Sequence, residues 1–141
     1  MNHPVLTIAS GNKTKVSEIS AMLDVLSLRV QKQPEYLNVE ETGDTYFENA
    51  LLKAKAAALE TKTWALADDS GLEVDVLDGK PGIYSARYAK NNAEKIKKLI
   101  NELSDSPYRS ARFRSCMVLC CLLYTSPSPR DITPSRMPSS A

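Results

Sequence analysis

Residues 64–71 read Trp-Ala-Leu-Ala-Asp-Asp-Ser-Gly, and the rest of the chain is organised around this stretch. The apolar run at 64–67 is typical of a short buried strand, and Ser70-Gly71 is a turn signal. Two adjacent carboxylates, Asp68 and Asp69, therefore stand at the C-terminal end of the predicted strand. Open α/β sheets hold ligands at that edge, where paired carboxylates suit a divalent cation such as Mg²⁺. A solvated Asp-Asp turn after an edge strand is the alternative.

The composition indicates one globular domain and disfavours several classes of function. The chain has 141 residues, of which 43% are hydrophobic and 25% charged, with a net charge of +1. Because the net charge is near zero, we expect neither nucleic-acid binding nor attraction to an anionic membrane. The longest apolar run, residues 116–123, is too short to span a bilayer. The start of the chain lacks the features of a signal peptide. The three cysteines lie together at 116, 120 and 121, which favours reduced thiols in the cytoplasm.

The N-terminal segment predicts a strand, a tight polar loop and a helix. Residues 5–9 are apolar, and apolar residues then recur at helical spacing from Val16 to Leu26. Between them, either Ser10 or Asn12 is suited to cap the helix. Lys13 and Lys15 fall in the first helical turn, where ammonium groups and free backbone N–H groups together favour a phosphate. A solvated helix start is the commoner explanation of such a pattern, and the spacing is not that of a Walker A loop.

A second helix follows an acidic loop at residues 40–44. Thr45 and Glu48 form a capping-box pattern, so we expect a helix over residues 46–60. Its predicted apolar stripe consists of Leu52, Ala56 and Leu59.

Two polar residues of this helix, Asn49 and Lys53, are four positions apart and therefore share a face. They are either part of an ordinary solvated face or an amide and an ammonium directed at a ligand's phosphates.

The remaining chain predicts two strands and a helix. Residues 72–77 alternate as a half-exposed strand does, and residues 78–82 are rich in turn residues. Arg87 can reach a phosphate or pair with a nearby acid. A third helix is predicted from Asn91 or Asn92, and a last strand from Arg112 to about Leu123.

Four stretches, taken in order, resemble one known family. They are Ser10–Lys15; Glu40–Gly43 with Phe47–Ala50 and Lys53-Ala54; Ala67–Leu72 with Val74-Asp75; and Gly79–Ala89, and Ala111–Phe113 adds to them. The chain resembles the inosine/xanthosine triphosphate pyrophosphatases. One such motif is a weak signal, whereas four in register over about 120 residues are a strong one.

The resemblance implies an α/β fold, with a mixed twisted sheet flanked by helices and a central nucleotide cleft. It also implies Mg²⁺-dependent hydrolysis of purine nucleoside triphosphates (ITP, dITP, XTP) to the monophosphate and pyrophosphate. Asp69 would accept the proton of the attacking water, and Glu40 and Asp69 would hold the metal, with Glu41 and Asp68 close by. The residues expected to contact the nucleotide are Ser10, Gly11, Asn12, Lys13, Thr14, Lys15, Lys53 and Ser70. The family is homodimeric.

The resemblance ends near Leu123. We therefore expect a pyrophosphatase domain over residues 1–123 and a Ser/Pro-rich tail, disordered or non-native, over residues 124–141. The family's later aromatic-Gly-Tyr-Asp-Pro and Ser-His-Arg stretches, which read the base, are absent from the sequence. The leading prediction is still a Mg²⁺-dependent nucleoside-triphosphate pyrophosphatase, with the hypothesis that this copy is inactive or poorly selective. The alternatives are a nucleotide-binding remnant without activity and a related pyrophosphatase acting on other modified nucleotides.

Overall fold

The computed structural model describes residues 4–121, which form a mixed sheet flanked by helices. The strands are β1 Val5–Ile8, β2 Arg29–Lys32, β3 Trp64–Val74, β4 Lys80–Pro81 and β5 Ala111–Cys120. The helices are α1 Lys13–Met22, α2 Tyr46–Thr61 and α3 Asn92–Leu103, and two 3₁₀ segments span Asp75–Leu77 and Gly82–Arg87. The predicted fold class is confirmed. The expected strand end at Leu123 and the expected tail at 124–141 lie outside the described residues.

Strand β1 lies between β2 and β3 and pairs in parallel with both. Strand β3 also pairs antiparallel with β5 over ten residues, from Ala65 opposite Cys120 to Val74 opposite Ala111. The chain moves from β1 to β2 through α1 and then back across β1 to β3 through α2. Because such crossovers are right-handed, two crossovers in opposite directions place α1 and α2 on opposite faces of the sheet. The boundary between β1 and β3 is thus the switch point at which α/β sheets open a crevice.

The predicted turn at Ser70-Gly71 is wrong, because strand β3 passes through both residues. The chain continues as one strand through both residues to Val74, and residues 75–77 form a 3₁₀ segment instead of strand. The reason lies far away in the sequence, because β5 pairs with β3 along its whole second half. Gly71 allows the backbone of Gly82 to pack closely against β3, since a Cβ on Gly71 would lie 2.1 Å from the carbonyl oxygen of Gly82. Parallel pairing with β1 still ends at Leu66, so the two aspartates lie just past the shared sheet edge.

Helix α2 packs on the sheet through alanines. Its cap is as predicted, since Thr45 Oγ1 accepts a hydrogen bond from the Glu48 N–H at 3.1 Å. The predicted apolar stripe is wrong, because Leu52 and Leu59 are 38% and 58% exposed. The small residues instead let the helix approach the sheet closely. The buried cluster contains Ala50, Ala54, Ala57 and Ala58 from α2 and Ala9, Ala65, Ala67 and Val118 from the sheet.

Helix α3 begins at Asn92 with Asn91 as its N-cap, as the sequence predicts. Its apolar side is open, with Ile96 and Ile100 more than half exposed. Strand β5 also carries exposed apolar side chains, and Phe113 is 83% exposed. Within residues 4–121, no helix has the length and apolar character that crossing a membrane requires.

Candidate active site

A cleft of about 430 Å³ opens beside the second half of β3, beyond the point where its pairing with β1 ends. One side is charged and contains Lys15, Glu41, Lys53, Asp69 and Ser70. The other side is largely apolar and contains Leu72, Tyr88, Ile96, Leu99 and Phe113. We call this space the acidic cleft. Its two walls provide charged groups for a polyanion and a separate surface for a less polar moiety.

Asp69 is the deepest carboxylate of the acidic cleft and is only 6% exposed. Its Oδ2 accepts a hydrogen bond from Asn49 Nδ2 at 3.4 Å, and its Oδ1 lies 3.8 Å from Lys53 Nζ. Burial raises the pKa of Asp69, the charge of Lys53 opposes that rise, and the nearby Glu41 adds to it. The result is a carboxylate that is more basic than a solvated aspartate.

Lys53 joins the acidic loop to strand β3. Its Nζ lies 2.8 Å from Glu41 Oε2 and donates to the Asp68 carbonyl oxygen at 2.7 Å. Arg87 holds the same loop from the other side, since its guanidinium donates to the Glu41 carbonyl oxygen at 2.9 Å. Of the two predicted uses of Arg87, the structure therefore has it paired with an acid.

Asp68 and Asp69 point to opposite faces of the strand because side chains alternate along β3. Asp68 meets Lys15 of α1, with Lys15 Nζ 3.2 Å from Oδ1. The first turn of α1 is fixed by Asn12, whose side chain accepts from the Thr14 and Lys15 N–H groups. Asn12 is therefore the cap, and the Ser10 hydroxyl accepts from the Asn12 N–H.

The structure separates some residues that the resemblance groups together. Ser10, Gly11 and Lys13 line a second cavity of about 200 Å³ beside β2. Thr14 is exposed. Glu40 is exposed and lines a third cavity, and its neighbour Glu41 lines both that cavity and the acidic cleft. Asp69, Ser70, Lys15 and Lys53 do come together.

Several residues of this region carried little or no signal in the sequence. Ser85 accepts the Leu72 N–H at 2.9 Å and donates to the Gly82 carbonyl oxygen at 2.6 Å, which fastens one wall of the acidic cleft to β3. From the sequence alone, Phe113 and the apolar face of α3 would be assigned to the hydrophobic core, because their apolar side chains follow the periodicity of buried elements. Only the flanking Arg112 and Arg114, on alternate strand positions, indicate that Phe113 belongs to an exposed strand.

The charged wall fits a hard divalent cation. Within residues 4–121, no three His, Cys, Asp or Glu side chains are grouped as a ready-made metal site. Mg²⁺, however, is bound through one or two carboxylates with the rest of its ligands from water and phosphates. Asp69 and Glu41 supply such oxygens, and the elevated pKa of Asp69 indicates a site that a further positive charge would stabilise.

Fold and site together define a class: an α/β protein with a charged crevice beyond the point where its central parallel pairing ends. A model of the Ham1 family matches residues 6–131, which extends past the boundary expected at 123. The chain belongs to the Ham1 family.

Relatives and solved structures agree with this assignment. The dITP/XTP pyrophosphatase of Synechococcus sp. (strain CC9311) is 53% identical over 119 residues, covering 84% of this chain and 58% of the relative. That of Parasynechococcus marenigrum (strain WH8102) is 50% identical, covering 82% and 58%. The Ham1 protein of Staphylococcus aureus aligns with a TM-score of 0.72 at 40% identity, covering 84% of this chain and 64% of that one. A HAM1 protein from Coxiella burnetii gives 0.75 at 40% identity, covering 83% and 63%. The chain thus spans less than two thirds of these proteins.

Proposed function

We propose that this chain hydrolyses non-canonical purine nucleoside triphosphates, in particular dITP and XTP, to the monophosphate and pyrophosphate. The observation that carries the proposal is a buried carboxylate, Asp69, flanked by Lys53 in a cleft that also has Lys15 on its wall. The relatives in Synechococcus and Parasynechococcus named dITP/XTP pyrophosphatase support the choice of substrate.

Asp69 is proposed to accept the proton of the attacking water. A general base must be more basic than an ordinary carboxylate to act near neutral pH, and burial raises the pKa of Asp69. Asn49 and Lys53 restrict the orientation of its two oxygens, so its free lone pairs are directed at the acidic cleft. Attack on phosphorus requires mainly positioning and neutralisation of charge.

The two lysines are proposed to bind the phosphates. In the absence of substrate each lysine is paired with carboxylates, Lys15 with Asp68 and Lys53 with Glu41. Phosphate oxygens would compete for both ammonium groups. Ser70 lines the same space as the two lysines, and the N-terminus of α1, whose first turn carries Lys15, is the further phosphate-binding element that the resemblance implies.

Mg²⁺ is the proposed cofactor, held by Asp69 together with an acid of the 40–44 loop. When bound, it would neutralise phosphate charge and lower the pKa of a coordinated water. Glu40 is the ligand that the resemblance implies, and Glu41 is the acid that lies against Lys53.

The thiols Cys116, Cys120 and Cys121 are free, which supports a cytoplasmic location. The net charge of +1 supports a small-molecule substrate over nucleic acid.

The test is pyrophosphate release from dITP and XTP, with dATP as the comparison substrate, with and without Mg²⁺. We expect Asp69→Asn to reduce kcat by about 10²–10⁴-fold, the usual contribution of a general base. Asp75→Asn is the matched control, since Asp75 is an exposed carboxylate outside the acidic cleft. Binding of a triphosphate by the folded chain without release of pyrophosphate would refute the proposed activity and favour the remnant.

A further inference from the structure

Asn49 is a buried amide whose hydrogen bonds connect two different elements. Its side chain is on the sheet-facing side of α2, and the residue is only 1% exposed. The Gly43 N–H donates to Asn49 Oδ1 at 2.7 Å, and Asn49 Nδ2 donates to Asp69 Oδ2 at 3.4 Å. Since Gly43 offers a donor and the carboxylate an acceptor, only this orientation of the amide satisfies both partners.

The acidic loop is fitted closely to the first turn of α2. A Cβ on Gly43 would lie 2.8 Å from Asn49 Oδ1 and 2.6 Å from Glu48 Cβ, so no larger residue fits without a shift. The Asp44 N–H donates to Glu48 Oε1 at 2.7 Å. These contacts lie two and three residues after Glu41, so they restrict the backbone of the acidic loop close to that residue.

Both ends of the amide have partners within the protein, and Asn49 is buried and does not line the acidic cleft, which disfavours the direct phosphate contact considered from the sequence. We propose that Asn49 is a positioning residue that fixes the Asp69 carboxylate and the acidic loop relative to each other. If Asn49 only filled space in the core, its amide would not need hydrogen bonds to the acidic loop and to Asp69 of the acidic cleft. The inference rests on the proposed function, because it assigns Asn49 to the site in which that chemistry would occur.

Two substitutions separate the two hydrogen bonds. Asn49→Leu has a similar volume, carries no charge and removes both bonds. Asn49→Asp keeps the acceptor for Gly43 but removes the donor to Asp69. Thr45→Ala is the matched control, since it weakens the N-terminus of α2 by about 1 kcal/mol without touching the acidic cleft.

The kinetic test compares kcat and KM of the four proteins for dITP with Mg²⁺. We expect kcat to fall about 10–100-fold in both Asn49 variants, the usual effect of losing a group that orients a reactive residue. In Asn49→Leu, KM should remain within about threefold, because no phosphate contact is lost. Thr45→Ala should retain wild-type kcat. Equal kcat in Asn49→Leu and Thr45→Ala would overturn the proposal.

A second readout, hydrogen exchange of the Gly43 amide measured by NMR, does not depend on activity. We expect this amide to be protected in the wild type and in Asn49→Asp, and to exchange rapidly in Asn49→Leu. If the wild type releases no pyrophosphate, the proposed function fails, while this pattern still supports Asn49 as the group that fixes the loop. Retained protection in Asn49→Leu would refute that role.

Discussion

At the scale of single residues, Lys53 is the counter-charge of two carboxylates in the acidic cleft, Glu41 and Asp69. Its ammonium group lies between Glu41 and Asp69, and its side chain is only 18% exposed. We predict that Lys53→Met lowers the free energy of unfolding by about 2 kcal/mol at neutral pH, because two largely buried carboxylates lose their counter-charge. Denaturant titration with a constant m-value would measure the change.

Lys55→Met is the control for this prediction. Lys55 lies on the same helix but is exposed, and among residues 4–121 it forms none of the ion pairs. Its substitution should change the free energy of unfolding by no more than about 0.5 kcal/mol. If the two variants were equally stable, the role of Lys53 as the counter-charge would be disproved.

The residues of the site were predictable from the sequence to different degrees. Lys53 and Asn49 could be placed on one face because helical spacing brings i and i+4 together. Asp69 could be assigned to the sheet edge because apolar strands precede such sites. The local pattern could not distinguish Glu40 from Glu41, since an irregular loop has no period from which side-chain direction follows, and the resemblance alone indicates Glu40.

At the scale of elements, Gly71 is where β3 and the second 3₁₀ segment approach each other. A methyl group there would collide with the backbone of Gly82, which cannot rotate away as a side chain does. We predict that Gly71→Ala lowers the free energy of unfolding by about 3 kcal/mol through overpacking. Gly11→Ala is the control, since a Cβ on Gly11 meets nothing within 4 Å. Thermal melts of both variants give the comparison, and similar Tm values would contradict it.

The start of β5 is connected to the first 3₁₀ segment through Asp75. The Ser110 hydroxyl donates to Asp75 at 2.7 Å, and Arg112 lies 3.3 Å away. The Ser110 hydrogen bond, followed by Arg112, lowers the pKa of Asp75 below its ordinary 3.8. Since the folded-state pKa is the lower one, the stabilisation is present above that ordinary value and is lost as the pH falls through the folded pKa.

The measurement is Tm as a function of pH for the wild type and Asp75→Asn. We expect the wild type to melt at the higher temperature near neutral pH, and the difference to decrease as the pH falls below 3.8 and to disappear below the lower, folded-state pKa. A difference that persisted unchanged in acid would show that the charge of Asp75 is not its cause.

Local signals predicted the helices better than they predicted β3. Thr45 and Asn91 act as caps through contacts within three residues, so the sequence around them contains the necessary information. The path of β3 through Ser70-Gly71 depends on β5, which lies some forty residues later and overrides the local turn preference. The alanine face of α2 was missed because Leu52 and Leu59 are more hydrophobic, whereas close helix–sheet approach selects small residues.

At the scale of the whole molecule, β5 has an exposed apolar side. Phe113, Met117 and Leu119 are 83%, 49% and 51% exposed, and in the described part of the chain β3 is the only strand paired with β5. Long apolar edge strands are sites of association. We predict that the chain self-associates with increasing concentration and that the double variant Met117→Thr/Leu119→Thr reduces this association.

Sedimentation velocity over a range of concentrations would measure the effect. Val25→Thr is the control, since Val25 is 89% exposed but lies after α1, away from the strand. Its removal should leave the association unchanged. A wild type that stays monomeric and melts cooperatively at high concentration would count against the prediction.

The long β3–β5 pairing also bears on how the chain folds. The pair of residues nearest the connection is Val74 and Ala111, and the segment between them contains both 3₁₀ segments and α3. Closing a loop of that size loses chain entropy before any rung is gained, and a high proportion of distant contacts slows folding. Helix α2 and the strands beside it can form earlier from nearer contacts. We therefore expect the carboxylates on β3 to reach their final positions only when β5 pairs with that strand.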